Sequence, residues 1–114
     1  MRTLDTIDLA PKDRNAVQRA AVLLRKGFPV EQVILFGSKA RGDDDAESDI
    51  DLLVLTSRPV TTAEKRRMTA ALFDIELELD VVISKIVVPR EAWEHGYYQV
   101  LPIRHDVDRH GVAA

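Results

Sequence analysis

Residues 37–51 read Gly-Ser-Lys-Ala-Arg-Gly-Asp-Asp-Asp-Ala-Glu-Ser-Asp-Ile-Asp, and this stretch lies between two apolar runs. The first run, residues 33–36, leads into the Gly-Ser pair, and the second, residues 50–55, begins between the aspartates Asp49 and Asp51. Successive side chains of a strand point to opposite faces, so aspartates two residues apart share a face. The stretch therefore predicts two strands joined by a polar turn, with paired carboxylates beside a glycine.

The composition limits the class of protein. With 114 residues, of which 46% are hydrophobic and 31% charged, the chain has room for one domain with a modest core. It contains no cysteine, so any metal must be held by oxygen or imidazole. The formal net charge of -3 gives no general attraction to nucleic acid. The apolar runs are short and residues 1–5 do not resemble a secretory signal, so we expect a cytoplasmic protein outside the membrane.

The order of apolar and turn-forming residues predicts alternating helices and strands in the first half of the chain. Pro11 suits the first position of a helix, and Lys26-Gly27 supplies a basic last turn followed by a glycine. Apolar residues between them recur at three- and four-residue spacing. The predicted elements are a helix over residues 11–26, a strand over 32–37, a short helix or tight turn over 38–42 and a strand over 49–56.

The second half is predicted to contain one long helix, one strand and two short helices. Thr61 or Thr62 can cap the long helix. Residues 77–84 alternate in polarity and then become β-branched, which predicts a strand with Asp80 at the point where it becomes buried. The short helices are predicted near residues 89–93 and over 101–109. We expect a single domain over residues 1–114, with residues 111–114 frayed.

The residue types predict a metal and phosphate site. Two carboxylates on one face of a strand can bridge a pair of Mg²⁺ ions, because hard cations prefer oxygen ligands. Gly37 lets a phosphate approach the backbone, and the helix start after it and the Ser38 hydroxyl offer hydrogen-bond donors. Arg41 can also contact phosphate, although cations in turns are usually only solvated. A third carboxylate is expected on a neighbouring strand, where Asp80 is favoured and Glu78, of the same strand parity, is the alternative.

These residues resemble the signature of the minimal nucleotidyltransferases, a family of the DNA polymerase β-like superfamily. The signature is Gly-Ser, ten residues, then Asp-x-Asp, and here Gly37-Ser38 and Asp49-Ile50-Asp51 stand ten residues apart. The associated Ala40-Arg41-Gly42 is also present, and Leu79-Asp80-Val81-Val82 resembles the strand of the third carboxylate. Both halves in register are a far more specific signal than either half alone.

The resemblance implies a fold and a reaction. The expected fold is α+β, with a small mixed β-sheet flanked by helices around a polymerase β-like nucleotidyltransferase core. The expected reaction transfers AMP from ATP to a hydroxyl group at a site with two Mg²⁺ ions, and pyrophosphate leaves. By the same resemblance, Asp49 and Asp51 hold metal, and Asp80 holds metal or activates the attacking hydroxyl.

The resemblance also implies a protein partner. Larger members of the superfamily bind the acceptor with extra domains, for which 114 residues leave no room. Short members resemble antitoxins whose partner is a helical HEPN-type toxin that becomes adenylylated on tyrosine. We therefore expect an antitoxin that acts as a protein adenylyltransferase on such a toxin.

Two other functions stay open at this stage. The protein could neutralise its partner by occlusion, as a binding module whose nucleotide site is not catalytic. It could instead be a homodimeric nucleotidyltransferase for a small molecule such as an aminoglycoside, with the acceptor site built across the subunit interface. Nothing in the chain identifies a drug pocket, so the protein partner is the leading expectation.

Overall fold

The computed structural model describes residues 1–114 as one five-stranded sheet with helices on both faces. The strands are β1 (Arg2–Thr3), β2 (Val30–Phe36), β3 (Ile50–Thr56), β4 (Ile83–Pro89) and β5 (Val112–Ala113). The α-helices are α1 (Pro11–Gly27), α2 (Gly37–Arg41), α3 (Thr62–Leu79), α4 (Arg90–His95) and α5 (Pro102–His110), with 3₁₀ turns at Leu4–Thr6 and Tyr97–Val100. The prediction of an α+β fold with a small mixed sheet is confirmed.

The strand order in the sheet is β1-β5-β2-β3-β4. β2 and β3 are antiparallel, with Phe36 opposite Asp51, and β3 and β4 are parallel, with Asp51 opposite Ser84. The end of β2 therefore meets the starts of β3 and β4 at one edge of the sheet. The signature residues lie at that edge.

The alternation of side chains along β3 divides the protein into two cores. Leu52 and Val54 belong to the larger core, which α1 and α3 cover. Leu53 and Leu55 belong to the smaller core, which includes Val88, Trp93 and Val107. Asp51 has the parity of Leu53, so it lies on the face of the sheet that α4 and α5 only partly cover.

The long helices begin as the sequence predicts. Pro11 occupies the first turn of α1. Thr61 caps α3 in a capping box, in which its hydroxyl accepts from the Glu64 N–H while the Glu64 carboxylate accepts from the Thr61 N–H. Arg58 and the Thr61 N–H lower the pKa of Glu64 to about 2, so the Glu64 carboxylate of the capping box stays ionised at neutral pH. None of the helices combines the length and apolar character that a membrane crossing requires.

The predicted strand over residues 77–84 is wrong in its first half. Residues 77–79 continue helix α3, Asp80 ends it, and β4 starts only at Ile83. Leu72, Ile75 and Leu79 explain the difference, because their spacing of three and four residues continues the buried stripe of the helix. Leu77, which supplied the apparent alternation, is 66% exposed.

The predicted fraying of residues 111–114 is also not observed. β5 lies inside the sheet, where it pairs with β1 on one side and β2 on the other. Val112 is fully buried, and the Ala114 N–H donates to the Val33 carbonyl at 3.0 Å. A two-residue strand has no periodicity of its own, so its position depends on the sheet around it.

We predict that Val112→Ala lowers the free energy of unfolding by about 2 kcal/mol, because it opens a cavity between β1 and β2. The control is Val100→Ala at an 82% exposed site, which should change stability by less than about 0.5 kcal/mol. Urea unfolding of both variants measures the difference. Equal stabilities would mean that β5 is not part of the folded sheet.

Candidate active site

The two aspartates of the signature lie where the sequence places them. Asp49 is exposed just before β3, and Asp51 is half-buried as the second residue of β3. The Ile50 N–H donates to the Val82 carbonyl at 2.8 Å, so the pairing between the two strands extends to the residue before β4. Asp51 therefore projects from a strand that is paired on both sides, and Asp49 directly precedes that strand.

Gly37 makes the close approach of Asp51 possible. It has a φ of +75°, and a Cβ built on it would overlap Asp51 Oδ2 and lie 3.1 Å from Asp51 Cγ. Only glycine combines that backbone conformation with that absence of a side chain. The contact joins the Gly-Ser turn and the carboxylate pair into one site.

The paired carboxylates are electrostatically unfavourable in the free protein. Burial raises the pKa of Asp51, and the negative charge of Asp49 raises it further. Asp106 adds to the rise, while the positive charge of Arg41 opposes it. A divalent cation would relieve this repulsion, and a set of carboxylate oxygens fits Mg²⁺. No group of three or more Asp, Glu or His side chains is close enough to hold an ion, so further ligands would come from phosphate and water.

The Gly-Ser turn begins the short helix α2. Ser38 is half-buried in its first turn, and its carbonyl accepts the N–H groups of Gly42 and Asp43 at 2.9 and 3.1 Å. Arg41 has a side chain that is 35% exposed and donates to Asp43 at 3.3 Å and to Asp106 at 3.1 Å. The turn thus brings the Gly37 backbone and the Arg41 guanidinium group near the carboxylates.

Lys39, the other cation of the turn, has a structural role. Its side chain is buried, and its Nζ donates to Asp13 of α1 at 2.8 Å and to Asp44 at 3.2 Å. Burial alone would lower the pKa of Lys39, but the hydrogen bonds to Asp13 and Asp44 together with their negative charges outweigh it and raise the pKa. A charged lysine therefore fixes the turn to α1 and is not available to phosphate.

Asp80 lies at the end of helix α3, shortly before the strand that pairs with β3. It is the exposed C-cap of α3 with a φ of 54°, and it lines a cavity of about 400 Å³ together with Ser48 and Val82. Because Asp51 pairs with Ser84, the residues that share its face are Ser84 in β4 and Val82 just before β4, neither of them acidic. The role of Asp80 as third carboxylate stays a prediction.

The alternative carboxylate, Glu78, is engaged elsewhere. Its side chain is exposed on α3 and forms an ion pair with Arg19 of α1 at 2.7 Å. The prediction of Glu78 as the alternative assumed that residue 78 lies in a strand, but it lies in helix α3. Glu78 is therefore not brought to the site.

Sequence reasoning missed Asp106. This residue of α5 accepts a hydrogen bond from the Gly37 N–H at 3.3 Å as well as from Arg41. It is 65 residues from Arg41 in the chain, and an acidic residue in a polar helix carries no motif. Only the packing of α5 against α2 places it beside the signature.

Comparison with known proteins identifies the family. Residues 18–95, which contain both halves of the signature, match the family described as polymerase beta, nucleotidyltransferase. This chain belongs to that family. The matched range ends before α5, so Asp106 lies outside it.

The relatives of this nucleotidyltransferase family member include one curated protein and several solved structures. A candidate protein adenylyltransferase of Methanocaldococcus jannaschii is 43% identical over 58 residues, which are 51% of this chain and 59% of that protein. The chain thus matches less than two thirds of that relative's length.

Two solved structures share the fold. A protein described as a candidate minimal nucleotidyltransferase is 24% identical with a TM-score of 0.59, over 96% of this chain and 93% of its own. A chain from the complex of a tri-AMPylated Shewanella oneidensis HEPN toxin with an MNT antitoxin is 17% identical with a TM-score of 0.55, over 89% of this chain and 70% of that chain. At these identities the structures establish the fold of the present chain.

We predict that Asp51→Asn stabilises the metal-free protein. A carboxylate whose pKa is higher in the folded than in the unfolded chain lowers stability when it is ionised, and this penalty disappears as the pH falls below the raised pKa. After allowance for solvent screening, we expect a gain of about 0.5 kcal/mol at neutral pH, or roughly 3 °C in Tm. Thermal unfolding in EDTA measures it.

The control for Asp51→Asn is Asp74→Asn, which removes the same charge from an exposed position of α3. Adding Mg²⁺ should then raise the Tm of the wild-type protein and of Asp74→Asn, but not that of Asp51→Asn. A Tm that falls in Asp51→Asn without metal, or that Mg²⁺ raises equally in all three proteins, would contradict the assignment of the metal site.

We predict opposite stability effects for two substitutions at Asp80. Asp80→Gly should raise the free energy of unfolding by about 0.5 kcal/mol, because glycine adopts the left-handed cap without strain, whereas Asp80→Ala should lower it by a similar amount. Urea unfolding at neutral pH compares the two. A loss of stability in both variants would show that the aspartate side chain itself holds the end of α3.

Proposed function

We propose that this protein transfers AMP from ATP to a hydroxyl group of a partner protein in an Mg²⁺-dependent reaction. The contact between the Asp51 carboxylate and Gly37 carries the proposal, because it places metal ligands and a phosphate-binding turn in one site. We further propose that the partner is a HEPN-type toxin and that the acceptor is a tyrosine.

Two relatives support the acceptor class. One is the candidate protein adenylyltransferase of M. jannaschii, whose matched segment is the more informative because it is 43% identical. The other is the S. oneidensis complex, in which a HEPN toxin bound to an MNT antitoxin carries AMP groups. Transfer of these properties to the present chain is our proposal.

In the proposed reaction the aspartates bind metal and the residues of the turn bind phosphate. Asp49 and Asp51 would hold Mg²⁺, which when bound neutralises phosphate charge and polarises the attacking hydroxyl. The Gly37 N–H, Ser38 and Arg41 would bind the phosphate chain and orient it. In the free protein Gly37 and Arg41 donate to Asp106, so an incoming phosphate must replace that carboxylate.

The transfer step itself is an in-line displacement at the α-phosphorus. The acceptor oxygen forms a bond to that phosphorus, the bond to the bridging oxygen of the β-phosphate breaks, and pyrophosphate leaves. The hydroxyl proton passes to a carboxylate at the border of the site, for which Asp80 is our candidate. Because Asp49 is a proposed metal ligand whereas Asp80 is proposed only to accept the proton, we expect Asp80→Asn to slow transfer less than Asp49→Asn does.

The face of the sheet beside the carboxylates has room for an acceptor segment. Val82, just before β4, is 56% exposed, and within β4 Ile86 is 36% exposed and Ser84 is exposed as well. β4 is the last strand of the sheet, so its outer edge is also open. A hydroxyl from a partner can therefore approach the site without displacing any part of this chain.

The direct test uses the purified protein with ATP, Mg²⁺ and a HEPN-type protein encoded beside it. We expect the partner to gain the mass of one or more AMP groups, and the Asp49→Asn/Asp51→Asn variant to leave its mass unchanged, since it cannot hold the metal. Asp74→Asn should transfer AMP as the wild type does. Intact-protein mass spectrometry gives the result, and an unmodified partner in a confirmed complex with folded wild-type protein would contradict the proposal.

A cellular assay separates catalysis from occlusion. Cells that express the partner toxin should be protected by the wild-type protein and by Asp74→Asn, but not by the Asp49→Asn/Asp51→Asn variant. Full protection by the double variant would mean that binding alone neutralises the toxin.

A further inference from the structure

Asp106 occupies the groups that the proposed function assigns to phosphate. Its Oδ2 accepts from the Gly37 N–H at 3.3 Å and its Oδ1 accepts from Arg41 Nη1 at 3.1 Å. One carboxylate thus binds both a backbone amide and a guanidinium group of the signature turn. These are the kinds of donor that bind a phosphate group.

The position of Asp106 is unfavourable in one respect. It lies near enough to Asp51 to add to the like-charge repulsion at the carboxylate pair. The side chain is 23% exposed, so it can turn towards water when another anion takes its place. Because Asp51 repels the Asp106 carboxylate and solvent can reach it, another anion can readily replace Asp106 in these hydrogen bonds.

The attachment of α5 does not depend on Asp106. The next residue, Val107, is 1% exposed in the smaller core. Arg104 donates to the Trp93 carbonyl at 2.6 Å and lies over the Trp93 ring. These contacts hold α5 in place whether or not Asp106 is bonded to the turn.

We propose that Asp106 holds the place of a nucleotide phosphate in the free protein and competes with the triphosphate of the substrate for Gly37 and Arg41. This inference rests on the proposed nucleotide site. Asp106 then sets the nucleotide affinity, because an incoming triphosphate must displace it before it can bind both donors. A ligand displaces Asp106 only when it carries more negative charge than one carboxylate, as a metal-bound triphosphate does.

The test is the binding of inorganic tripolyphosphate in the presence of Mg²⁺, measured by titration calorimetry. This probe has the phosphate chain without the nucleoside, so it reports on the turn alone. Asp106→Asn should bind it about tenfold more tightly than the wild type, the scale of one charge-assisted hydrogen bond. The Tm of each variant shows that it is folded.

The matched control is Asp108→Asn. Asp108 carries the same charge two residues along α5, is exposed and pairs with Arg104 at 3.1 Å instead of with the turn. Its substitution should leave the affinity for tripolyphosphate within about twofold of wild type. Tighter binding by Asp106→Asn alone supports the proposal, including the case in which the wild type does not bind measurably.

Three results would overturn the proposal: unchanged or weaker binding by Asp106→Asn, equal strengthening by both variants, or no binding by any of the three proteins. Failure of AMP transfer is a separate outcome. If Asp106→Asn gains affinity for tripolyphosphate but the partner gains no AMP, the proposed function fails while the role of Asp106 stands. If AMP is transferred and Asp106→Asn gains nothing, the reverse holds.

Discussion

The contact between the Asp51 carboxylate and the Cα of Gly37 is the constraint on which the site depends. It requires a residue without a Cβ and with a positive φ at the point where β2 turns into α2. It also requires that β2 and β3 pair with Phe36 opposite Asp51, since a shift of one residue would turn the carboxylate to the other face. The buried Lys39–Asp13 pair, which fixes the turn to α1, supports the same geometry from behind.

Much of this arrangement could be predicted from the sequence, because its parts are local. The helix 11–26 and the capped helix after Thr61 follow from spacing and capping chemistry, and the face of the sheet on which Asp51 lies follows from strand alternation. The features that could not be predicted depend on contacts between distant segments. β5 becomes a strand only because β1 and β2 flank it, and Asp106 reaches Gly37 only because α5 packs on α2. Residues 77–79 show a third limit, since a short apolar alternation fits both a strand and the end of a helix.

The site of the free protein contains negative charges that no bound cation neutralises. Two carboxylates repel each other at the start of β3, and a third from α5 binds the donors of the turn. A metal-bound nucleotide would both relieve the repulsion and replace the third carboxylate. It would therefore bind more tightly than the metal ion or the nucleotide alone. The exposed residues Val82, Ser84 and Ile86 lie beside this site, where the proposed partner would present its hydroxyl group.

The most direct test of the account compares alanine substitutions at the two glycines of the turn that have positive φ. Gly37 and Gly42 have φ values of +75° and +83°, so alanine strains the backbone at both, but only at Gly37 would the new Cβ overlap Asp51, whereas a Cβ on Gly42 would project into open space. The measurement is the affinity for ATP with Mg²⁺, by titration calorimetry on folded variants. The account predicts that Gly37→Ala loses most of the affinity and that Gly42→Ala keeps it, and equal affinities in the two variants would contradict it.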